Sequence, residues 1–259
     1  MGTVSKALSL LTNFNQSRTE IGLSEIARLA GVNKATAYRL LSELQAGGFV
    51  EQTGADKTWR LGPEILRLAR VREAAVPITT ASRAILDRLA AETHETAHVS
   101  VLRGTELNAL AHAYSTRHAT RVMMEDAERL SLHGTGSGLA VLAFSPDEFV
   151  EAVLALPLKK HTPDTVTDPA ALRALLGPIR ETGIAESVGG FEADVHSHAA
   201  PVFDTNGLAI GALAVAAPVS RVTADRAPVI KHAVLTGAME LTRAIGGVAP
   251  ESFPQAVAA

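Results

Sequence analysis

The 259-residue chain contains no cysteine and no uninterrupted run of about 18 apolar residues, the length that a membrane span needs. The lack of cysteine excludes disulfides, thiolate metal ligands and cysteine nucleophiles, and it fits a reducing compartment. Residues 1–15 carry polar side chains where a signal peptide would be continuously apolar. We therefore expect a cytoplasmic protein with no membrane partner.

Charged residues are few and unevenly distributed. They make up 20% of the chain, against 47% hydrophobic residues, a balance typical of folded proteins. The net charge is -3, but residues 1–72 hold ten basic and six acidic side chains, whereas the remainder holds fourteen basic and twenty-one acidic ones. A modestly basic head on an acidic body suits a DNA-binding domain attached to a domain that need not touch DNA.

Apolar residues recur at helical spacing three times near the N-terminus. The predicted helices cover Thr3–Phe14, with Thr3 as N-cap, then about residues 23–30, and residues 34–45. Gly31 supplies the left-handed residue that ends the second helix, and Gly47 with Gly48 closes the third. This order of elements predicts a helix-turn-helix.

Two short extended segments follow the third helix. Residues 49–52 and 58–61 flank a turn-rich stretch, which predicts a hairpin that would form the wing of a winged helix-turn-helix over residues 1–62. A helix from Pro63 to about residue 77 follows, interpreted either as an interdomain linker or as an ordinary surface helix.

The third helix has the surface that DNA recognition requires. Its apolar stripe leaves Ala35, Arg39 and Ser42 on the opposite face, flanked by Thr36 and Tyr38. Small residues allow close approach to the major groove, an arginine can recognise guanine, and hydroxyls can contact phosphates. The predicted DNA-binding residues are Ser24, Lys34, Ala35, Thr36, Tyr38, Arg39, Ser42, Lys57 and Arg60.

Helical and extended patterns alternate irregularly after residue 77, which predicts an α+β domain over residues 78–246 and a flexible tail over 247–259. The predicted strands cover residues 96–102, 107–114, 120–124, 183–188, 195–203 and 208–216. The predicted helices cover residues 78–93, 139–144, 147–156, 168–181 and 225–245.

The segment His94-Glu95-Thr96-Ala97-His98 matches a zinc-hydrolase pattern, in which two histidines one helical turn apart bind zinc and the glutamate acts as base. The preceding helix should end near His94, however, and the residues from His98 alternate as a strand. The two imidazoles would then not share a helical face. A zinc-dependent hydrolase is therefore the alternative hypothesis, and the main prediction is a protein without catalytic activity.

Two further clusters resemble functional motifs. Gly136-Ser137-Gly138 fits neither a hydrolase nucleophile elbow nor a dinucleotide fingerprint, because Leu139 stands where each needs glycine. In His196-Ser197-His198, alternation sends the two histidines to one face of a strand and Ser197 to the other. The histidines are interpreted as satisfied polar residues, with a His-x-His metal pair as the alternative. We expect no metal and no cofactor.

Motifs of a known family occur in both predicted domains. In the first domain they are LSEIA at 23–27, Gly31-Val32, KATAYRLL at 34–41, and Gly47, Phe49 and Val50. In the second they are LHGTGSG at 132–138, AAPVFD at 199–204, and residues 211–213 and 217–218 with Arg221. On these motifs the chain resembles the isocitrate lyase regulator (IclR) family along nearly its whole length. The resemblance implies a GAF-like effector domain with a central antiparallel sheet, a homodimer or tetramer, and a partly palindromic operator as DNA partner.

The resemblance also implies a small organic effector bound between the loop 134–138 and the inner face of the sheet. The pocket residues that it implies are Val122, Gly136, Ser137, Val195, Ser197, Ala214 and Ala216. Some relatives that take small carboxylates have serines where this chain has Ala214 and Ala216, and an acidic residue where it has Ser187. A less polar pocket favours an aromatic or otherwise bulky organic acid or amide.

Overall fold

A computed structural model describes residues 2–15, 18–54, 57–75, 77–124 and 128–254 of the chain. It divides the chain into two compact units, residues 1–75 and residues 76–259, which are described separately. Within the described residues, no helix is both long enough and apolar enough to cross a membrane.

The first unit is a winged helix-turn-helix. Its elements are α1 (Thr3–Leu11), α2 (Leu23–Leu29), α3 (Lys34–Ala46), β1 (Val50–Thr53), β2 (Thr58–Leu61) and α4 (Pro63–Ala75). Strands β1 and β2 pair antiparallel as the predicted wing. Gly31 has a φ of +65°, as a left-handed residue after α2 should.

The first helix is shorter than predicted. Gly2, and not Thr3, is its N-cap, and the helix ends at Leu11 rather than at Phe14. Just beyond its end, Thr12 Oγ1 and Asn13 Nδ2 both donate to the carbonyl of Ser9, at 3.3 and 2.6 Å. Short polar side chains that bond to nearby backbone favour helix ends over helix interiors.

The core of the first unit joins the wing to the helices. Trp59 of β2 is buried, and its backbone N–H and carbonyl both bond to Ile21, just before α2. Strand β2 therefore also pairs, through Trp59, with the segment that directly precedes α2. The buried core residues are Leu10, Ile21, Ile26, Ala27, Ala37, Leu40, Leu41, Val50 and Trp59.

The second unit is an α+β domain built on one antiparallel sheet, as predicted. Its strands are β3 (Thr96–Arg103), β4 (Glu106–Ala113), β5 (Arg129–Leu130), β6 (Ala185–Val188), β7 (Val195–Phe203) and β8 (Ala209–Pro218). Their spatial order is β5-β4-β3-β8-β7-β6. Its helices are α5 (Ile78–Thr93), α6 (Gly136–Ala143), α7 (Asp147–Leu154), α8 (Pro169–Thr182) and α9 (Arg226–Ala244), with a 3₁₀ turn at Val219–Arg221.

Helices cover both faces of this sheet. On one face, a Cβ added at Gly237 of α9 would lie within 3.4 Å of Ile85 and Leu89 of α5 and Leu213 of β8, so the two helices and the strand pack closely there. On the other face, Gly136 of α6 contacts Ser197 of β7. All eight residues of α6 are buried. The sheet is therefore the central layer of the domain.

Helix α6 begins earlier than predicted, at Gly136 instead of Leu139. Thr135 is its N-cap, and the Thr135 Oγ1 accepts a hydrogen bond from the Gly138 N–H at 3.0 Å. A Cβ at Gly138 would lie 2.3 Å from the Leu132 carbonyl oxygen. Glycine is therefore required at position 138 because the helix packs directly against the Leu132 backbone, and not because the chain turns there.

The predicted strand at 120–124 is wrong, because side chains instead of a strand partner hold this segment. Thr96 Oγ1 donates to the Val122 carbonyl at 2.7 Å, and the Tyr114 hydroxyl lies 3.0 Å from both the N and the O of Met124. The two-residue strand β5 was not predicted. Strand β6 begins at Ala185 rather than Gly183, because Gly183, with a φ of +74°, ends α8.

Part of the predicted flexible tail, at Val248 and Phe253, contacts the rest of the second unit. The Phe253 ring is buried and lies 5.4 Å from the Phe203 ring and 5.3 Å from the Phe144 ring, between ring centroids. The Val248 N–H also donates to the Asp204 carbonyl at 3.0 Å. Residues 255–259 lie outside the described residues.

Candidate functional site

Helix α3 is capped at its N-terminus, and its buried side chains determine which face is exposed. The Asn33 side chain accepts a hydrogen bond from the Thr36 N–H at 2.8 Å and so caps the helix. The side chains of Ala37, Leu40 and Leu41 are buried, which leaves the opposite face to solvent. Lys34, Ala35, Tyr38 and Arg39 are exposed, and Thr36 and Ser42 are half-buried.

Ser42 and Ser24 differ in what their hydroxyls can do. Ser42 Oγ donates to the Tyr38 carbonyl at 2.9 Å, so this hydroxyl can accept a further bond but its proton is already engaged. Ser24 is exposed on α2. The Tyr38 ring is 55% exposed, a large apolar surface beside Arg39.

The wing carries two cationic side chains, Lys57 and Arg60, in different surroundings. Lys57 is exposed and has a φ of +52°, and its carbonyl accepts a bond from Gln52 Nε2 at 2.9 Å. Arg60 lies 2.6 Å from Glu51 and 3.9 Å from Glu20, so its charge is shared with two carboxylates on the same unit. A phosphate that contacted Arg60 would compete with Glu51.

A cavity that is partly open to solvent lies between the start of α6 and the sheet in the second unit. The residues that line it are His98, Val122, Met124, Glu128, Leu130, Gly134, Thr135, Ser137, Ser187, Phe191, Glu192, Val195, Ser197 and Ala216.

Five of the seven pocket residues implied by the family resemblance line this cavity: Val122, Ser137, Val195, Ser197 and Ala216. The other two lie beside it. Gly136 donates its N–H to Ser197 Oγ at 3.2 Å, and a Cβ at Gly136 would lie 2.8 Å from that oxygen. Ala214 is fully buried in β8, where it pairs with Ala199 of β7 and His98 of β3. It precedes Ala216 by two residues and lies on the same face of the strand.

Gly134 and Thr135 belong to the loop 134–138 that was predicted to face the effector, and Ser187 was named as a pocket position, but the other lining residues were not identified from the sequence. His98 could have been found, because alternation along β3 puts it on the same face as Thr96, which pairs with Ala216. Glu128 and Glu192 come from loops, and no local pattern indicates which way a loop side chain points.

The charges around the cavity are acidic. The pKa of Glu192 is raised, first because burial disfavours the charged form and second because the Glu128 carboxylate is nearby. Burial also lowers the pKa of His98 to about 4, so this imidazole is neutral at pH 7. Its Nε2 lies 3.4 Å from Ser137 Oγ, and its buried Nδ1 has no hydrogen-bond partner. Among the described residues that line the cavity, none is lysine or arginine.

The N–H groups at the start of α6 are partly occupied. The Gly136 N–H donates to Ser197 Oγ and the Gly138 N–H to Thr135 Oγ1. Ser187 Oγ donates to the Gly134 carbonyl at 2.8 Å, which ties strand β6 to the loop before the helix. A ligand anion would therefore find fewer donors here than at an open helix N-terminus.

The 94–98 segment lacks the geometry of a zinc hydrolase. Helix α5 ends at Thr93, His94 has a φ of +60°, and His98 lies within β3. Glu95 is buried, and its carboxylate is paired with Arg221 at 2.6 Å. The histidines therefore do not share a helical face, and Glu95 is engaged in an ion pair.

Two family models match the chain: the IclR helix-turn-helix domain over residues 3–54, and the bacterial transcriptional regulator IclR C-terminal domain over residues 73–243. The glycerol operon regulatory protein of Streptomyces griseus is 32% identical over 226 residues, covering 87% of this chain and 88% of the relative.

Solved structures agree with these matches. The crystal structure of an IclR transcriptional regulator from Silicibacter sp. TM1040 is 58% identical, with a TM-score of 0.91, covering 98% of this chain and 100% of that one. An IclR homologue from Microbacterium hydrocarbonoxydans, crystallised with 4-hydroxybenzoate, is 28% identical with a TM-score of 0.58, covering 95% of this chain and 99% of that one.

Proposed function

Because the chain belongs to the IclR family of bacterial transcriptional regulators, we propose that α3 recognises operator DNA and that the cavity beside α6 binds the effector. The chain is a DNA-binding regulator whose operator binding responds to a small organic effector, and it is not an enzyme. The observation that carries the proposal is the cavity, because polar groups converge there on a largely apolar, partly enclosed space.

We assign direct base contact to the exposed face of α3. Arg39 is exposed opposite the buried stripe and can make a bidentate contact with guanine. The other proposed DNA contacts are Ser24, Lys34, Ala35, Thr36, Tyr38 and Ser42 on the two helices, and Lys57 and Arg60 on the wing. Footprinting on the DNA that flanks its own gene tests this assignment.

The cavity can be tested with a matched pair of valines. Val195 lines the cavity at the start of β7, whereas Val188, at the end of β6, is exposed and does not line it. Val195→Trp should abolish the ligand response and leave operator binding without ligand intact. Val188→Trp should leave both unchanged. If Val195→Trp responds to ligand as the wild type does, the effector binds elsewhere.

Of an aromatic acid and an aromatic amide, we propose the amide as effector. A carboxylate in the cavity would lie near the Glu192 carboxyl group, and none of the described lining residues is a lysine or arginine that could attract it. An amide is neutral, and its NH₂ group can donate to a carboxylate. The relative from Microbacterium hydrocarbonoxydans was crystallised with 4-hydroxybenzoate, an aromatic acid.

Calorimetry with 4-hydroxybenzamide and 4-hydroxybenzoate tests this choice, since the two probes differ at one group. The amide should bind roughly tenfold more tightly or better, which corresponds to about 1.4 kcal/mol. Glu192→Gln should reduce the difference in affinity between the amide and the benzoate. If the benzoate binds more tightly to the wild type, the assigned polarity of the site is wrong.

We further propose a homo-oligomer that acts in the cytoplasm, where a bacterial operator lies. Supporting this, the first unit exposes large apolar side chains on two helices, Val4 and Leu8 on α1 and Leu66 and Val71 on α4. Contiguous apolar surface marks association sites, and Val4 and Leu8 are one helical turn apart on α1. Light scattering on Leu66→Glu should show a smaller assembly than the wild type, and an unchanged mass would place the interface elsewhere.

A further inference from the structure

Two histidines and one glutamate meet on the face of the sheet opposite the effector cavity. His196 and His198 alternate with Ser197 along β7, and Glu186 is paired across the strands with His198. Because successive residues of a strand point to opposite faces, Ser197 lines the cavity while both imidazoles point away from it. Lys231 of α9 contacts Glu186 on this side.

The ligating atoms of this cluster have the spacing of a metal site. Glu186 Oε2 lies 3.2 Å from His196 Nε2 and 3.1 Å from His198 Nε2, and one ligand atom of each residue lies within 4.8 Å of the other two. Zinc bonds of about 2.0–2.1 Å in a tetrahedron put neighbouring ligand atoms about 3.3 Å apart. Only the two nitrogens need to approach each other, and the two rings are already stacked, with centroids 4.4 Å apart.

His198 provides an independent indication of a ligand. Both of its ring nitrogens are buried and make no hydrogen bond, because Nε2 and the Glu186 carboxylate are close but not aligned for one. Buried imidazoles that make no hydrogen bond are uncommon in folded proteins, and a bound ion is one way in which such a ring becomes satisfied.

We propose that Glu186, His196 and His198 bind a zinc ion. The second carboxylate oxygen, Oε1, lies 2.5 Å from Lys231 Nζ, so Glu186 would bind through Oε2 alone. Two imidazoles and one carboxylate are a zinc ligand set that leaves a fourth position for water. Glu186 is exposed at the edge of the sheet, so the ion can enter from solvent.

The ion would connect the edge strand to the rest of the sheet. Strand β6 is the last strand in the sheet order, and it pairs only with β7 among the described strands. The ligands come from β6 and β7, and their neighbours Ser187 and Ser197 line the effector cavity on the other face. Zinc would therefore stabilise one wall of the cavity without entering it.

The test uses the full chain, stripped with a chelator, and zinc as the probe in a competition titration against a chromophoric chelator. We expect one zinc per chain in the wild type and affinity roughly tenfold weaker or worse in Glu186→Gln and in His196→Ala. His94→Asn, in the 94–98 segment, is the matched control and should bind zinc like the wild type. Circular dichroism would verify that each variant is folded.

A readout that does not depend on these variants is the visible spectrum of Co²⁺ in place of zinc, which should show the bands of a tetrahedral site. The proposal is overturned if the wild type binds no stoichiometric zinc at micromolar free metal. It is equally overturned if folded Glu186→Gln and His196→Ala retain full affinity, or if His94→Asn loses it, because the ion then lies elsewhere.

Discussion

Glu95 and Arg221 form a bidentate ion pair, with Arg221 Nε and Nη2 at 2.7 and 2.6 Å from the two carboxylate oxygens. Glu95 directly precedes β3, and Arg221 ends the 3₁₀ turn after β8. Arg221 Nη1 also donates to the Thr120 carbonyl at 3.2 Å, and the Glu95 side chain is only 2% exposed. The hydrogen bonds from Arg221 to Glu95 raise the pKa of Arg221. One arginine therefore holds three segments of the second unit together.

We expect Arg221→Ala to lower the free energy of unfolding at pH 7 by about 3 kcal/mol, because it leaves a buried carboxylate without its partner. Arg129→Ala is the matched control: its pair with Glu106 is 3.4 Å long and exposed on both sides. Loss of this exposed pair should lower the free energy of unfolding by less than about 1 kcal/mol. Urea denaturation of the three proteins measures both values, and equal small losses would contradict the buried-pair argument.

Arg39→Ala should weaken operator binding by about 1–3 kcal/mol and relax specificity at one position per half-site, because it removes a bidentate base contact. Arg28→Ala, an exposed arginine on α2, is the control and should leave the footprint unchanged. Quantitative footprinting on single-base operator variants measures the effect. Unchanged affinity for Arg39→Ala would exclude its role in base recognition.

Lys57→Gln or Arg60→Gln should weaken operator and non-specific DNA binding alike and reduce the salt slope by about one phosphate contact. Glu51→Gln should have the opposite effect, since it releases Arg60 from its ion pair. Fluorescence anisotropy over a range of salt concentrations distinguishes the three variants. A loss restricted to one operator sequence would mean that the wing recognises bases.

Acid should destabilise the second unit through His98, whose pKa is about 4 in the folded chain because the ring is buried. The unfolded chain, with an ordinary histidine pKa of about 6.5, takes up a proton between pH 6.5 and 4, whereas the folded chain does not. Stability is therefore present above pH 6.5 and declines as the pH falls towards 4, by on the order of 2 kcal/mol at pH 5 from this group.

Urea denaturation in the presence of chelator, at pH 7 and pH 5, measures that decline. His98→Gln removes the titrating group and should show a smaller loss of stability between the two pH values. Parallel declines in the wild type and this variant would show that His98 does not contribute. His118→Gln, at a half-buried histidine that does not line the cavity, is the matched control and should decline as the wild type does.

The sequence predicts elements best where one local pattern determines them. The stripe Ala37, Leu40 and Leu41 set both the position of α3 and its exposed face, and turn residues set the wing. Alternation along β7 correctly separated Ser197 from its two neighbouring histidines. In each case, side-chain spacing along one element decides which face is buried.

Prediction failed where distant side chains decide the structure. Residues 120–124 have apolar residues at alternate positions, yet Thr96 and Tyr114 provide their hydrogen bonds in place of a strand. The glycines at the start of α6 suggested a loop, but they allow the helix to lie against Leu132. Phe253 packs against the Phe203 ring, fifty residues earlier in the chain, a contact that no local pattern contains.

Strand β7 has a cavity residue, Ser197, on one face and two histidines, His196 and His198, on the other, which restricts how the strand can change during evolution. Substitutions can alter one face at a time, but inserting or deleting a single residue within Val195–Phe203 would move every following side chain to the other face. Such a change would turn the histidines towards the effector and Ser197 towards α9. Length variation among relatives is therefore expected in the loop 189–194, and the strand itself should keep a constant length.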